Sequence, residues 1–127
     1  MDAGALYPIV PLTSVTVQLT VTPLLATRQL QPFESLLFYF INDDAANLWT
    51  ATIETGETSD ALDAVWQPQL LVPASAAGKA GQNSLTVGPS QLRAFYRVSG
   101  IATGAPVAAR WGLYGVRRYA RTVISLG

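Results

Sequence analysis

Within residues 13–22, Val15, Val17, Leu19 and Val21 at odd positions alternate with Thr16, Gln18, Thr20 and Thr22 at even ones. A period of two sends successive side chains to opposite faces of a pleated strand, and β-branched residues suit that geometry. The pattern therefore predicts a half-buried strand over Thr13 to Thr22. Pro8, Pro11 and Pro23 bracket it. Because proline fixes φ and lacks an N–H, residues 1–12 read as an extended N-terminal arm. That arm carries Leu6, Tyr7, Ile9 and Val10, an apolar set that packs on its own domain or reaches a neighbour. A second signal is the unbroken apolar run Leu36 to Ile41, preceded by Pro32 and stopped by Asn42-Asp43-Asp44. It predicts a strand buried on both faces, with Phe38, Tyr39 and Phe40 at the centre of the core.

Trp49, Ala51 and Ile53 alternate with Thr50, Thr52 and Glu54, which gives another strand over Leu48 to Glu54. Leu62, Val65 and Trp66 then fall at helical spacing between Ser59, a capping residue, and Pro68. Ser59 to Trp66 reads as at most two turns of helix. Gln69 to Val72, Leu85 to Val87 and Leu92 to Val98 read as short strands, the last with a competing helical period. Pro73 to Asn83 is a small-residue loop, by composition the most flexible segment, and Gly100 to Pro106 is another loop. Ala108 to Ser125 closes the chain as a long strand or strand pair bent at Gly112 and Gly115. Seven or eight short strands separated by turn signals predict an all-β fold. The expected architecture is one antiparallel β-sandwich domain over residues 1–127, jelly-roll-like or immunoglobulin-like.

Composition changes the picture at the surface. Only 13% of the residues are charged and 50% are apolar, against about 25% charged in ordinary soluble domains. Thr, Ser, Gln, Ala and exposed apolar side chains must cover much of the exterior, as suits a domain that neighbours cover. Charge is also divided along the chain. All eight acidic residues lie at or before Asp63 and, with Arg28, leave the first half at about −7; Lys79 and six later arginines give the second half about +7. A molecule so divided is complementary to copies of itself. The expected basic interface is Arg93, Arg97, Arg110, Arg117, Arg118 and Arg121, interleaved with Phe95, Tyr96, Trp111, Tyr114 and Tyr119. The expected acidic partners are Asp43, Asp44, Glu54, Glu57, Asp60 and Asp63 on a neighbour. Arg and aromatics serve protein interfaces and nucleic acid alike; zero net charge and the use of Arg over Lys favour protein. Arg117 and Arg121 share strand parity with Trp111, Leu113 and Tyr119, so the chain is expected to leave the sandwich near Gly115. Residues 116–127 then form a C-terminal arm.

Catalytic chemistry is poorly served. The sequence has no cysteine and no histidine, which removes disulfides, thiolate sites, imidazole bases and ordinary zinc or iron sites. Asn42-Asp43-Asp44-Ala-Ala-Asn47 lacks the alternate ligands and distal Glu of a calcium loop and reads as a turn. Glu54, Glu57, Asp60 and Asp63 offer carboxylates for glycoside hydrolysis but no aromatic cleft. Gly78-Lys79 fails the phosphate-loop pattern, which needs Gly and Ser or Thr where Pro73 and Ala80 stand; Ser75 and Lys79 lack the burial a catalytic dyad needs. No enzyme activity, metal or cofactor is expected. Asp2 in place of a positive leader and an apolar run no longer than Leu36 to Ile41 give the expectation of a soluble, unprocessed chain without membrane contact.

The Thr/Val strand Thr13 to Thr22, the Ala/Gly-rich loops, the scarce charge and the apolar termini resemble the small β-sandwich virion proteins of tailed bacteriophages, especially capsid cement or decoration proteins with a jelly-roll fold. That resemblance implies a virion location, homo-oligomers, and a role bracing the major capsid protein. Two other functions are weighed beside it. One is a carbohydrate- or ligand-binding sandwich with Trp49, Trp66 or Trp111 as a stacking platform. The other is a coat protein whose Arg117, Arg118 and Arg121 face nucleic acid.

Overall fold

The computed structural model describes residues 4–30, 34–58, 61–63, 68–88 and 94–118. These residues form strands β1 (Gly4–Val17), β2 (Thr22–Gln29), β3 (Glu34–Asn42), β4 (Trp49–Thr58), β5 (Ala61–Asp63), β6 (Gln69–Val72), β7 (Gly81–Val87), β8 (Phe95–Ala102) and β9 (Val107–Arg118). Among the described residues there is no helix. One sheet has the order β1-β9-β3-β7 and the other β2-β8-β4, with the far edge of β4 shared by β5 and β6. All pairings are antiparallel. Successive strands mostly cross from one sheet to the other: β1, β3, β7 and β9 lie in one, β2, β4, β6 and β8 in the other. Early strands are thereby paired with late ones, the connectivity of a jelly roll. An immunoglobulin-like order would put the first two strands side by side; β1 and β2 lie in different sheets.

The core follows from alternation on the central strands. Leu36, Phe38 and Phe40 of β3 and Val107, Ala109, Trp111 and Leu113 of β9 point inward from one sheet. Trp49, Ala51 and Ile53 of β4, Tyr96 and Val98 of β8, and Leu70 and Val72 of β6 meet them from the other. Phe40 sits between the two tryptophans, edge-on to Trp49 at 5.5 Å and stacked on Trp111 at 6.4 Å, while Phe38 meets Tyr96 edge-on at 6.1 Å. Such aromatic pairs add about 0.5–1.5 kcal/mol each beyond area burial. The apolar run of β3 is therefore not buried on both faces: Leu37 and Tyr39 stay half-exposed on the outer side.

Several boundaries depart from the sequence reading. β1 begins at Gly4, so the expected N-terminal arm is a strand, paired with β9 from Gly4↔Arg118 to Val17↔Val107. Pro8 and Pro11 fit because β1 is an edge strand and its register shifts between Pro8 and Thr13. The alternating segment ends as a strand at Val17, leaving Leu19 49% and Val21 68% exposed. The Thr22 hydroxyl accepts Gln18 N at 2.9 Å and donates to Thr20 O at 3.0 Å, closing the corner between the sheets. The expected helix is replaced, over Ala61–Asp63, by β5 pairing with the exposed end of β4; the rest of that segment lies outside the described residues. Three apolar residues at helical spacing cannot outweigh an open strand edge, because short helices are costly to nucleate.

The Ala/Gly segment expected to be loose holds a two-residue turn. Ala76 and Lys79 exchange both backbone hydrogen bonds at 2.9 Å, with Ala77 at φ 52° and Gly78 at φ 78°. β9 continues past Gly115 to Arg118, between Gly4–Leu6 of β1 and Glu34–Ser35 of β3. The expected C-terminal arm thus does not begin at Val116. Backbone pairing on both sides holds this end of β9 whatever the parity of its side chains; residues 119–127 lie outside the described residues.

Candidate interaction surfaces

The apolar set assigned to an arm belongs to β1. Ile9 and Val10 pack partly on the core, and the Tyr7 ring lies where a side chain on Gly115 would be, across from it in the β1–β9 register. Leu6 lies opposite Val116 in the same register. This segment is anchored within the chain.

Two of the basic residues meet two of the acidic ones inside the same chain. Glu54 on β4 stands directly opposite Arg97 on β8, and Arg97 Nε donates to Glu54 Oε1 at 2.6 Å. Arg110 on β9 is opposite Ile41, beside the end of β3. From there its guanidinium forks onto Asp43, Nε to Oδ2 at 2.9 Å and Nη2 to Oδ1 at 2.7 Å. Hydrogen bonds to these carboxylates raise both arginine pKa values. The contacts expected between copies are thus made in part by the two halves of one molecule. Arg117 and Arg118 end β9, Asp63 ends β5 and Glu57 is exposed on β4. Arg93, Asp60 and Arg121 lie outside the described residues.

Asn42 to Asn47 is built as a turn. The buried Asn42 donates from Nδ2 to Asn47 O at 2.8 Å and to Val72 O at 3.3 Å, and its Oδ1 accepts Asp44 N at 2.7 Å. Asp44 Oδ1 in turn accepts Ala46 N at 2.7 Å and Asn47 N at 2.8 Å, which holds its carboxyl below the usual aspartate pKa. Of the oxygens that suggested cation binding, Oδ1 of Asn42 and of Asp44 accept backbone N–H groups, and both carboxylate oxygens of Asp43 accept the Arg110 guanidinium. Lys79 stands exposed at its turn, away from the burial a catalytic lysine requires. Trp49 and Trp111 are both buried, so neither is a sugar platform; Trp66 lies outside the described residues.

One surface was not anticipated. The outer face of the β2-β8-β4-β6 sheet carries Ile101, Thr50 and Leu71 in one row across the strands, and Val21, in the corner just before β2, borders the same face beside Pro23 and Ser99. Val21 is 68%, Leu71 53% and Ile101 38% exposed. Pro23, Ser99, Thr52 and Gln69 form the next row, and Arg97 and Glu54 the one beyond. β2 shifts register twice against β8, and a depression of about 390 Å³ lies there, bounded by Val21, Pro23, Ser99, Arg97 and Glu54. Parity pointed to part of this surface: if Leu70 and Val72 face the core, Leu71 cannot. Ile101 was hidden because the strand was expected to end at Val98, whereas β8 runs to Ala102.

No protein-family model matches this sequence, and no curated protein shows significant similarity to it. Fold and surface define the class: a jelly-roll β-sandwich whose interior between the sheets is packed with side chains.

Proposed function

We propose that this chain is a non-enzymatic structural protein of a virus particle, of the kind that cements or decorates the head of a tailed bacteriophage and binds copies of itself and a shell protein. The observation that carries this reading is the set of solvent-facing aliphatics Val21, Leu71 and Ile101 on a fold with a separate, well-packed core. Covering such a set gains about 25 cal/mol for each Å² of apolar surface removed from water. The paired charges Arg97–Glu54 and Arg110–Asp43 keep the surrounding surface neutral. Recognition then rests on shape and apolar contact, and the basic role toward a neighbour falls to Arg93, Arg117, Arg118 and Arg121.

Co-sedimentation with empty phage heads tests this reading, alongside light scattering over a salt series. Binding to heads that persists in high salt is the expected result, because apolar burial is not screened. A chain that stays in the supernatant and monomeric at every salt concentration would overturn it. Head and tail genes beside the coding sequence are the matching genomic expectation.

A further inference from the structure

We infer that a second copy of this chain covers the outer face of the β2-β8-β4-β6 sheet, about a two-fold axis lying in the interface, parallel to the strands and between β8 and β4. This rests on the self-associating reading above and names the surface that does it.

The rows of that face select the axis. A two-fold along the strands exchanges β8 with the partner's β4 and β2 with the partner's β6, while each row stays opposite itself. Ile101 then faces the partner's Thr50, and the partner's Leu71 comes over the β2 side of the face, where Val21 borders it. In the charged row Arg97 faces the partner's Glu54, and Glu54 the partner's Arg97. The side-by-side Arg97 and Glu54 become a square of alternating charge, with each guanidinium near two carboxylates. An axis across the strands would instead lay the apolar row on the charged one and desolvate ions against hydrocarbon. One operation therefore satisfies both apolar and electrostatic matching.

Shape agrees with charge. The depression between β2 and β8 lies on the half of the face that the partner's β6 must cover, and Leu71 is the large aliphatic residue projecting from β6. Each copy offers one knob and one hole, as an isologous contact requires. Four strands about 4.8 Å apart, over about seven residues of about 3.3 Å each, give a footprint of roughly 19 by 23 Å. That is smaller than the roughly 800 Å² per partner of tight complexes. The dimer is therefore weak in free solution, and strengthens where a shell holds the copies close.

Sedimentation velocity of the full chain across the micromolar range tests the inference. The wild type is expected to show a concentration-dependent dimer, and L71E to weaken it about tenfold or more. E54R and R97E each place like charges in the square, so each alone is expected to be monomeric. Mixed in equal amounts they restore every opposite-charge contact between copies, and a heterodimer should form. A mixture that remains monomeric, or a wild-type dimer indifferent to L71E, overturns the inference. If a charge variant loses its fold by circular dichroism, L71E and I101E at exposed positions decide, and dimers retained in both overturn it. A wild type that binds empty heads as a monomer, with L71E abolishing that binding, assigns the face to the shell protein; the inference then fails while the proposed function stands. A dimer that ignores heads has the opposite meaning.

Discussion

Asn42 and Thr55 show opposite treatments of a buried polar side chain. Asn42 ties β3 to Asn47 and to β6 through three backbone groups, so N42A leaves buried amide and carbonyl groups without partners. Chemical denaturation should show a loss of about 2 kcal/mol or more. The Thr55 hydroxyl finds no partner among the described residues, although it is buried on the inner side of β4. T55V keeps the shape and removes the unpaired oxygen, and a gain of about 1 kcal/mol is expected in the same measurement. Asp44 acts through pH. Its folded pKa lies below its unfolded value because Ala46 N and Asn47 N bind the carboxylate. Its contribution is therefore complete above the unfolded value of about 3.9 and is lost as pH falls through the folded one. The difference in melting temperature between wild type and D44N should be steady near neutrality and shrink below about pH 4.

At the scale of elements, β1 and β9 carry the largest revision. A flexible arm could be removed without harm, but Leu113, Gly115 and the end of β9 are paired with Val10, Tyr7 and Gly4–Leu6. Deleting residues 1–12 unpairs β9 next to Leu113, which is fully buried. A loss of about 3 kcal/mol or more, or roughly 10 °C in melting temperature, is expected by calorimetry; an unchanged melt would restore the arm. Strands with a buried face were legible because that face imposes period two: the expected Gln69 to Val72 matches β6 although it pairs with β4 alone, and β3 and β4 are each anticipated, though shorter than observed. The edge strands β1 and β5 and most strand ends were not legible. β1 tolerates proline because one side of it is unpaired, β5 forms because β4 offers an edge, and neither condition is written in the segment itself.

At the scale of the whole molecule, the division of charge acquires a different meaning. A jelly roll pairs strands of the first half with strands of the second, so β4 meets β8 and β3 meets β9. Acid-rich and arginine-rich halves thereby neutralise one another within one sandwich at Glu54–Arg97 and Asp43–Arg110. The exposed Arg97–Glu54 pair adds only about 0.2–1 kcal/mol, and its effect is felt more in register than in stability. The same topology makes folding slow, since β1 must find β9 across nearly the whole chain before the sheet closes. Refolding followed by fluorescence of the buried Trp49 and Trp111 should take on the order of milliseconds to seconds. A microsecond relaxation would contradict the closing of the sheet as the slow event.

The sequence by itself determined the class of fold, much of the core, such as Phe38, Phe40, Ala51 and Ile53 but not Leu19, Val21 or Tyr39, and the absence of cysteine and histidine chemistry, because alternation and composition are local properties that a chain carries with it. Tertiary structure alone decided which strands lie side by side, that Arg97 and Arg110 meet carboxylates of their own chain, and that Val21, Leu71 and Ile101 share one face. Those are relations between residues far apart in sequence, and only strand register brings them within reach of each other.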